Sequence, residues 1–237
     1  GLSYAHGDTR VTRGPFADAG IAGTSDTVQG NLVGVASAGP RGAVTLSLGG
    51  QWTRALTDIG PLRVSDNRLL AFEAGASIQR TAPGRFLTLN TSLMLADSEE
   101  AVQDLRTGPV LVRGAVQTGA ISGRWRAVLR GDWQWTATDG LPGVLQYQIG
   151  GPRSSRAFAP GTAGGDRGAA FSLEAGPGFQ LGPVAGELAG FVDLAWAQAG
   201  NATVSLHSAG AALRAVAGRR ASIDLFLATR LGEAVSG

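Results

Sequence analysis

The stretch Arg124–Thr138, RWRAVLRGDWQWTAT, decides the fold. Taken in alternate positions, Trp125, Ala127, Leu129, Trp133 and Trp135 fall on one face. Arg124, Arg126, Arg130, Asp132, Gln134 and Thr136 fall on the other. A period of two belongs to extended chain with one apolar and one polar side. The polar side carries charges that a dry sandwich core would not accommodate. A water-filled lumen on that side, with lipid against the tryptophans, satisfies both faces.

Working outward, the pattern repeats. In Ala43–Arg54, Val44, Leu46, Leu48 and Trp52 oppose Thr45, Ser47, Gln51 and Thr53. Leu70, Phe72, Ala74, Ala76 and Ile78 oppose Glu73, Ser77 and Gln79; Leu87, Leu89, Leu93 and Leu95 oppose Thr88, Asn90 and Ser92. Ile223, Leu225 and Leu227 oppose Ser222, Asp224 and Arg230. About eleven such segments are read, near 1–12, 26–39, 42–56, 68–81, 85–97, 109–121, 124–138, 166–180, 185–198, 204–217 and 220–231. Most match the ~9–11 residues of a tilted bilayer-spanning strand rather than the ~5–6 of an ordinary one. No helical period is sustained. The expected fold is all-β: an antiparallel transmembrane β-barrel forming a single domain over 1–237.

The connections carry a second regularity. They read as long (13–25), short (39–41), long (57–67), short (82–84), long (98–108), short (122–123), very long (139–165), short (181–184), modest (199–203) and short (218–219). Tight turns on one side and longer loops on the other are the habit of outer-membrane barrels.

Composition narrows function by exclusion. All 20 basic residues are arginine, which removes P-loop, Schiff-base and Ser-Lys lysine chemistry. The absence of cysteine removes disulfides and thiolate chemistry. A net charge of +2, with arginines interleaved among 18 acids, gives no footprint for nucleic acid. His6 and His207 have no metal-ligand spacing, so no metal is expected; nor is a cofactor. No nucleophile constellation stands out, and an enzyme is not expected. The first residues, GLSYAHGDTR, lack the basic start and apolar run of a signal peptide, and no run approaches a membrane-spanning helix.

One stretch departs from the strand pattern. Residues 148–174, QIGGPRSSRAFAPGTAGGDRGAAFSLE, contain Gly150-Gly151-Pro152 and Pro160-Gly161, which break any ladder, yet they are apolar and arginine-marked. A long patterned loop of this kind in a compact protein is more often functional than accidental.

These residues resemble the two-partner secretion outer-membrane transporters, the ShlB/FhaC/HecB haemolysin secretion/activation family, in the superfamily that includes BamA. The family pattern is an apolar-Gly-Gly, then Val-Arg-Gly-Tyr/Phe, Gly-Asp-x-Gly and a Glu further along the strand. Here it reads Ile149-Gly150-Gly151, Ser155-Arg156-Ala157-Phe158, Gly165-Asp166-Arg167-Gly168 and Glu174. A second motif, Phe-x-Asp-x-Gly, matches Phe191-Val192-Asp193-Leu194-Ala195, and Leu206–Gly210 and Leu225–Leu231 follow in similar fashion. The resemblance implies that the loop folds into the lumen and that Arg156 meets Asp193 on the inner wall. Parity agrees independently: Glu187, Phe191 and Asp193 share one face opposite Leu188, Val192, Leu194 and Trp196. A guanidinium there could bridge Asp193 and Glu174. Two motif glycines are replaced, by Ala157 and Ala195; if the first needs positive φ, alanine would be strained.

The resemblance implies barrels of sixteen strands preceded by POTRA domains, of which strands five to fifteen would be present, so the chain reads as a fragment. It also implies a place in the bacterial outer membrane, with lipid around the barrel and an unfolded secreted exoprotein as partner. Alternative readings are a BamA-like assembly factor and a secreted β-solenoid or adhesin. The number of POTRA domains upstream would separate the first from secretion. A short fixed repeat would mark the second, and none is found.

Overall fold

The computed structural model describes residues 1–12, 20–102, 105–218 and 221–236. Fourteen strands are described: β1 (Leu2–Arg10), β2 (Ile21–Gly39), β3 (Gly42–Ile59), β4 (Leu62–Ala82), β5 (Arg85–Glu100), β6 (Leu105–Thr107), β7 (Val110–Ser122), β8 (Trp125–Thr136), β9 (Tyr147–Ile149), β10 (Ala163–Gly165), β11 (Arg167–Leu181), β12 (Val184–Ala199), β13 (Ala202–Ala217) and β14 (Ala221–Ser236). They form a twelve-stranded sheet running β1-β2-β3-β4-β5-β7-β8-β11-β12-β13-β14, with β6 on β5 alone, and a separate β9–β10 pair within the long loop. All pairings are antiparallel. Among the described residues no helix is long and apolar enough to cross a membrane. The eleven strands along the main path are the eleven the alternation predicts.

Registers keep the faces in phase from strand to strand. Val28, Trp52 and Leu70 stand side by side across β2, β3 and β4. The outer side exposes Leu46, Leu48, Phe72, Leu95, Trp125, Trp135, Leu173, Leu194, Trp196 and Leu225. Small residues let rings lie flat on it: a Cβ on Gly114 would fall 2.0 Å from the Trp133 ring, and one on Gly131 2.4 Å from Phe171. The inner side curls round on itself. A cavity of about 550 Å³ is bounded by Asn90 of β5, Gln117 of β7, Arg130 of β8, Arg214 of β13 and Phe226 of β14. At ~4.8 Å between strands, a flat sheet would hold β5 and β14 far too widely apart to share it. The sheet is barrel-like but not closed: β1 and β14 do not pair among the described residues.

One rim follows the expected short turns, at 40–41, 83–84, 123–124 and 182–183. The other rim corrects the loop reading. The expected long connection 57–67 is a two-residue turn at Gly60-Pro61, because β3 and β4 run on for 18 and 21 residues. The modest connection 199–203 likewise shrinks to Gly200-Asn201, and β2 begins at Ile21 rather than near 26. Expected loop 98–108 is shortened by β5 and β6, and part of 13–25 lies outside the described residues. The missed strand ends are charged on their outer face. Arg54 meets Asp66 at 2.8 Å, Arg63 meets Asp58 at 3.0 Å and Arg106 meets Asp97 at 2.5 Å. Strand that leaves the bilayer has no lipid to face, so the apolar alternation stops while the ladder continues.

Candidate functional site

The long loop leaves β8 and returns to β11 along the inner face. Its root is pinned first. Asp166, only 2% exposed, accepts from the backbone N–H of Gly140 (3.0 Å) and Leu141 (2.7 Å). Gln134 donates to the carbonyls of Leu145 (2.8 Å) and Asp166 (3.0 Å). Leu141 and Leu145 then pack with Leu69, Ala71, Met94, Ala96 and Leu111, on the wall made by β4, β5 and β7. Gly168 leaves room for Tyr147, whose ring would lie 2.3 Å from a Cβ there.

The tip turns back on itself. Gly151 N–H donates to the Phe158 carbonyl (2.9 Å), and Ser154 Oγ accepts from Gly150 N–H (2.7 Å). Gly150 and Gly151 have φ of 101° and 84°, a region L side chains rarely adopt. A Cβ on Gly150 would also fall 2.2 Å from the Ala159 carbonyl oxygen. Phe158 is buried with Ile149, Ala170, Ala195, Ala197 and Leu206, so the alanine at 195 packs in the tip's own apolar seat.

That turn delivers Arg156 onto a grid set by strand register. Ser172, Asp193 and Ser208 form one inner-face row across β11, β12 and β13; Glu174, Phe191 and Gly210 form the next. The guanidinium bridges both rows. Nη2 and Nε reach Asp193 at 2.9 and 3.1 Å, Nη1 reaches Glu174 at 2.9 Å, and Nη2 also reaches Ser172 at 2.7 Å. The Arg156 backbone N–H donates to Asp193 as well, at 3.1 Å. The Phe191 ring lies 3.4 Å from the guanidinium carbon, a stacking geometry open to a planar cation. All three charged groups are nearly dry, at 8%, 1% and 2% side-chain exposure.

Sequence reasoning did not single out several partners. Ser208 donates to Asp193 at 2.9 Å and contacts Ser155 at 3.2 Å. Arg214 of β13 is hydrogen-bonded to Glu174, and Arg130 approaches the same carboxylate at 3.9 Å. Arg230 of β14 lies 4.7 Å over the Phe158 ring and donates to the Ala157 carbonyl at 3.3 Å. Their signal was parity: Ser208, Arg214 and Arg230 share the inward face of their strands. Asp166 and Gly168 sit at the root, apart from the Arg156 cluster. No group of His, Asp and Glu suited to a metal occurs among the described residues.

No family model and no curated protein matches this sequence. Among solved structures the chain is similar to CdiB from Escherichia coli, with a TM-score of 0.78 at 17% identity over 98% of this chain and 46% of that one. It is also similar to CdiB from Acinetobacter baumannii, with a TM-score of 0.66 at 14% identity over 96% of this chain and 47% of that one. The fold is that of an outer-membrane β-barrel. The chain spans about half the length of these two structures.

Proposed function

We propose that this chain forms most of the barrel wall of a two-partner secretion transporter of the haemolysin secretion/activation (ShlB/FhaC/HecB) type, in the bacterial outer membrane. Its partner is a large exoprotein that crosses unfolded, and the 139–165 loop occupies the path that it takes. The protein does no covalent chemistry; folding of the exoprotein outside the cell supplies the driving force. The fold likeness to CdiB supports the outer-membrane barrel that this reading needs. The observation that carries the reading is the docking of Arg156 between Asp193 and Glu174, which ties the loop tip to the inner wall.

In this reading Gly150, Gly151 and Phe158 shape and seat the tip. Arg156, Asp193, Glu174 and Phe191 hold it, while Asp166 and Gly168 fix the root. Removing one member of a buried, hydrogen-bonded pair costs about 3–5 kcal/mol. Docking that depends on Arg156 should therefore fail when it is truncated. In the full-length gene product, Arg156→Ala is expected to lower secretion of the cognate exoprotein while the barrel still inserts and keeps its heat-modifiable mobility. Secretion at the wild-type level from an inserted Arg156→Ala barrel would remove Arg156 docking as a latch in the mechanism.

A further inference from the structure

The two rims differ sharply in charge. Beyond the apolar band on the long-strand side, acids and arginines mix and pair, as in Arg54–Asp66, Arg63–Asp58 and Arg106–Asp97. On the short-turn side there is no Asp or Glu within three residues of any turn. That rim instead holds Arg41, Arg80, Arg85, Arg124 and Arg126, and the sequence adds Arg219 and Arg220 between β13 and β14, outside the described residues. Arg126 is neutralised by Glu187 at 2.9 Å. Arg41, Arg80, Arg85 and Arg124 join no ion pair among the described residues, and all four are exposed.

Three of these arginines surround one feature. Arg41, Arg80 and Arg85, with Ile78, Phe86 and Leu87, line an open cleft of about 800 Å³ at the ends of β2 to β5. The turns there are tied together: Thr81 N–H donates to the Arg41 carbonyl at 2.8 Å, and Ile121 N–H to that of Gly84 at 2.7 Å. By register, Arg80 and Leu87 are partners across β4 and β5, and Ile78 lies two residues deeper on the same face as Arg80. Arg80, and Arg85 two residues before Leu87 on the same face, thus stand at the edge of the lipid-facing band with Arg41 in the adjoining turn, where a long cationic side chain reaches the headgroup level. Cations without an ion pair among the described residues, set beside apolar side chains, match a phosphate attached to a lipid, and no Asp or Glu lines this cleft to oppose it.

We propose that this cleft is a binding site for anionic phospholipid headgroups in the leaflet on the short-turn side, with Arg41, Arg80 and Arg85 holding the phosphate. The proposal rests on the membrane-spanning reading of the sheet. Clustered guanidinium groups suit phosphate oxygens because each offers forked donors, and an anionic headgroup adds charge that a zwitterionic one lacks.

The test is native mass spectrometry of the full-length protein, released from vesicles of equal phosphatidylglycerol and phosphatidylcholine. The expected result is retained phosphatidylglycerol enriched on the order of tenfold over phosphatidylcholine. The enrichment should be lost in the triple variant Arg41→Gln, Arg80→Gln, Arg85→Gln and largely kept in the corresponding triple lysine variant. Equal retention of the two lipids by the wild-type protein would overturn the proposal without any variant. So would an enrichment that survives the glutamine changes. Capture of an acidic peptide at these arginines, with no lipid preference, would assign the cleft to polypeptide instead and equally overturn it. Failure of the wild-type protein to insert into vesicles would strike the membrane reading itself, a separate outcome.

Discussion

Arg156 draws its strength from the number of groups that converge on it. One guanidinium satisfies two carboxylates, a serine hydroxyl and an aromatic face. Asp193 in turn accepts from the Arg156 side chain, the Arg156 backbone and Ser208. Glu174 keeps Arg214 as a further counter-ion, so withdrawal of the tip leaves Asp193 as the carboxylate without a paired cation among the described residues. The tip reaches this grid only through the backbone at Gly150, where positive φ and the Ala159 carbonyl both exclude a side chain. Gly150→Ala should add strain of about 1–3 kcal/mol and loosen docking. Trypsin cleavage after Arg153 and Arg156 in the detergent-extracted protein is expected to become on the order of tenfold faster. Unchanged resistance would show that the tip does not depend on that turn. At this scale the sequence displayed the arginine and the carboxylates, because motif spacing and face parity point at charged residues. Ser155, Ser172 and Ser208 were not legible: serine is common on any strand, and only the register that sets Asp193 between Ser172 and Ser208 gives those hydroxyls a role.

Among the elements, the strands were legible and their ends were not. Alternation identifies strand where one face meets lipid, and it fades where both faces meet water. The β3–β4 hairpin continues past that level to its turn at Gly60-Pro61 with charges in place of apolar residues, which reads as loop. The β1–β2 pair shows the same substitution. Tyr4 stands opposite Val28, and two residues further His6 stands opposite Asp26. His6 Nδ1 lies 2.8 Å from Asp26 and Nε2 lies 3.3 Å from Asp8. The hydrogen bond to Asp26, helped by the Asp8 charge, holds the imidazole above its ordinary pKa. A raised folded value means that protonation favours the paired strands. That contribution is fully present below the unfolded pKa of about 6.5 and is lost as pH rises through the raised value. An NMR titration should therefore find His6 protonating above the ordinary histidine value, and Asp26→Asn should bring it down. An unshifted His6 in the native protein would mean that the His6–Asp26 hydrogen bond does not persist.

For the whole molecule, the loop couples regions of wall that the sequence separates widely. Its root packs on β4, β5 and β7, while its tip docks on β11, β12, β13 and β14. The two ends of the loop thus bridge the inside of a curled sheet. Root and tip each combine the two kinds of contact: Leu141 and Leu145 burial with hydrogen bonds at Asp166 and Gln134 at the root, and the Phe158 seat with the Arg156 cluster at the tip. Alternation and loop position made the barrel and its central loop readable. The bridging was not readable, because Leu141 and Leu145 look like any loop leucines until the sheet curls beneath them.

The most direct test of the proposed function fixes the tip in place. The chain has no cysteine, so a pair introduced at Ser155 and Ser208, whose hydroxyl oxygens lie 3.2 Å apart, would be the only thiols in it. In the full-length protein carrying Ser155→Cys and Ser208→Cys, the proposal predicts that secretion of the exoprotein stops when the pair is oxidised and resumes on reduction, with each single variant unaffected by oxidant. Undiminished secretion through a barrel shown to carry the closed disulfide would contradict a loop tip that must leave Asp193 for the polypeptide to pass.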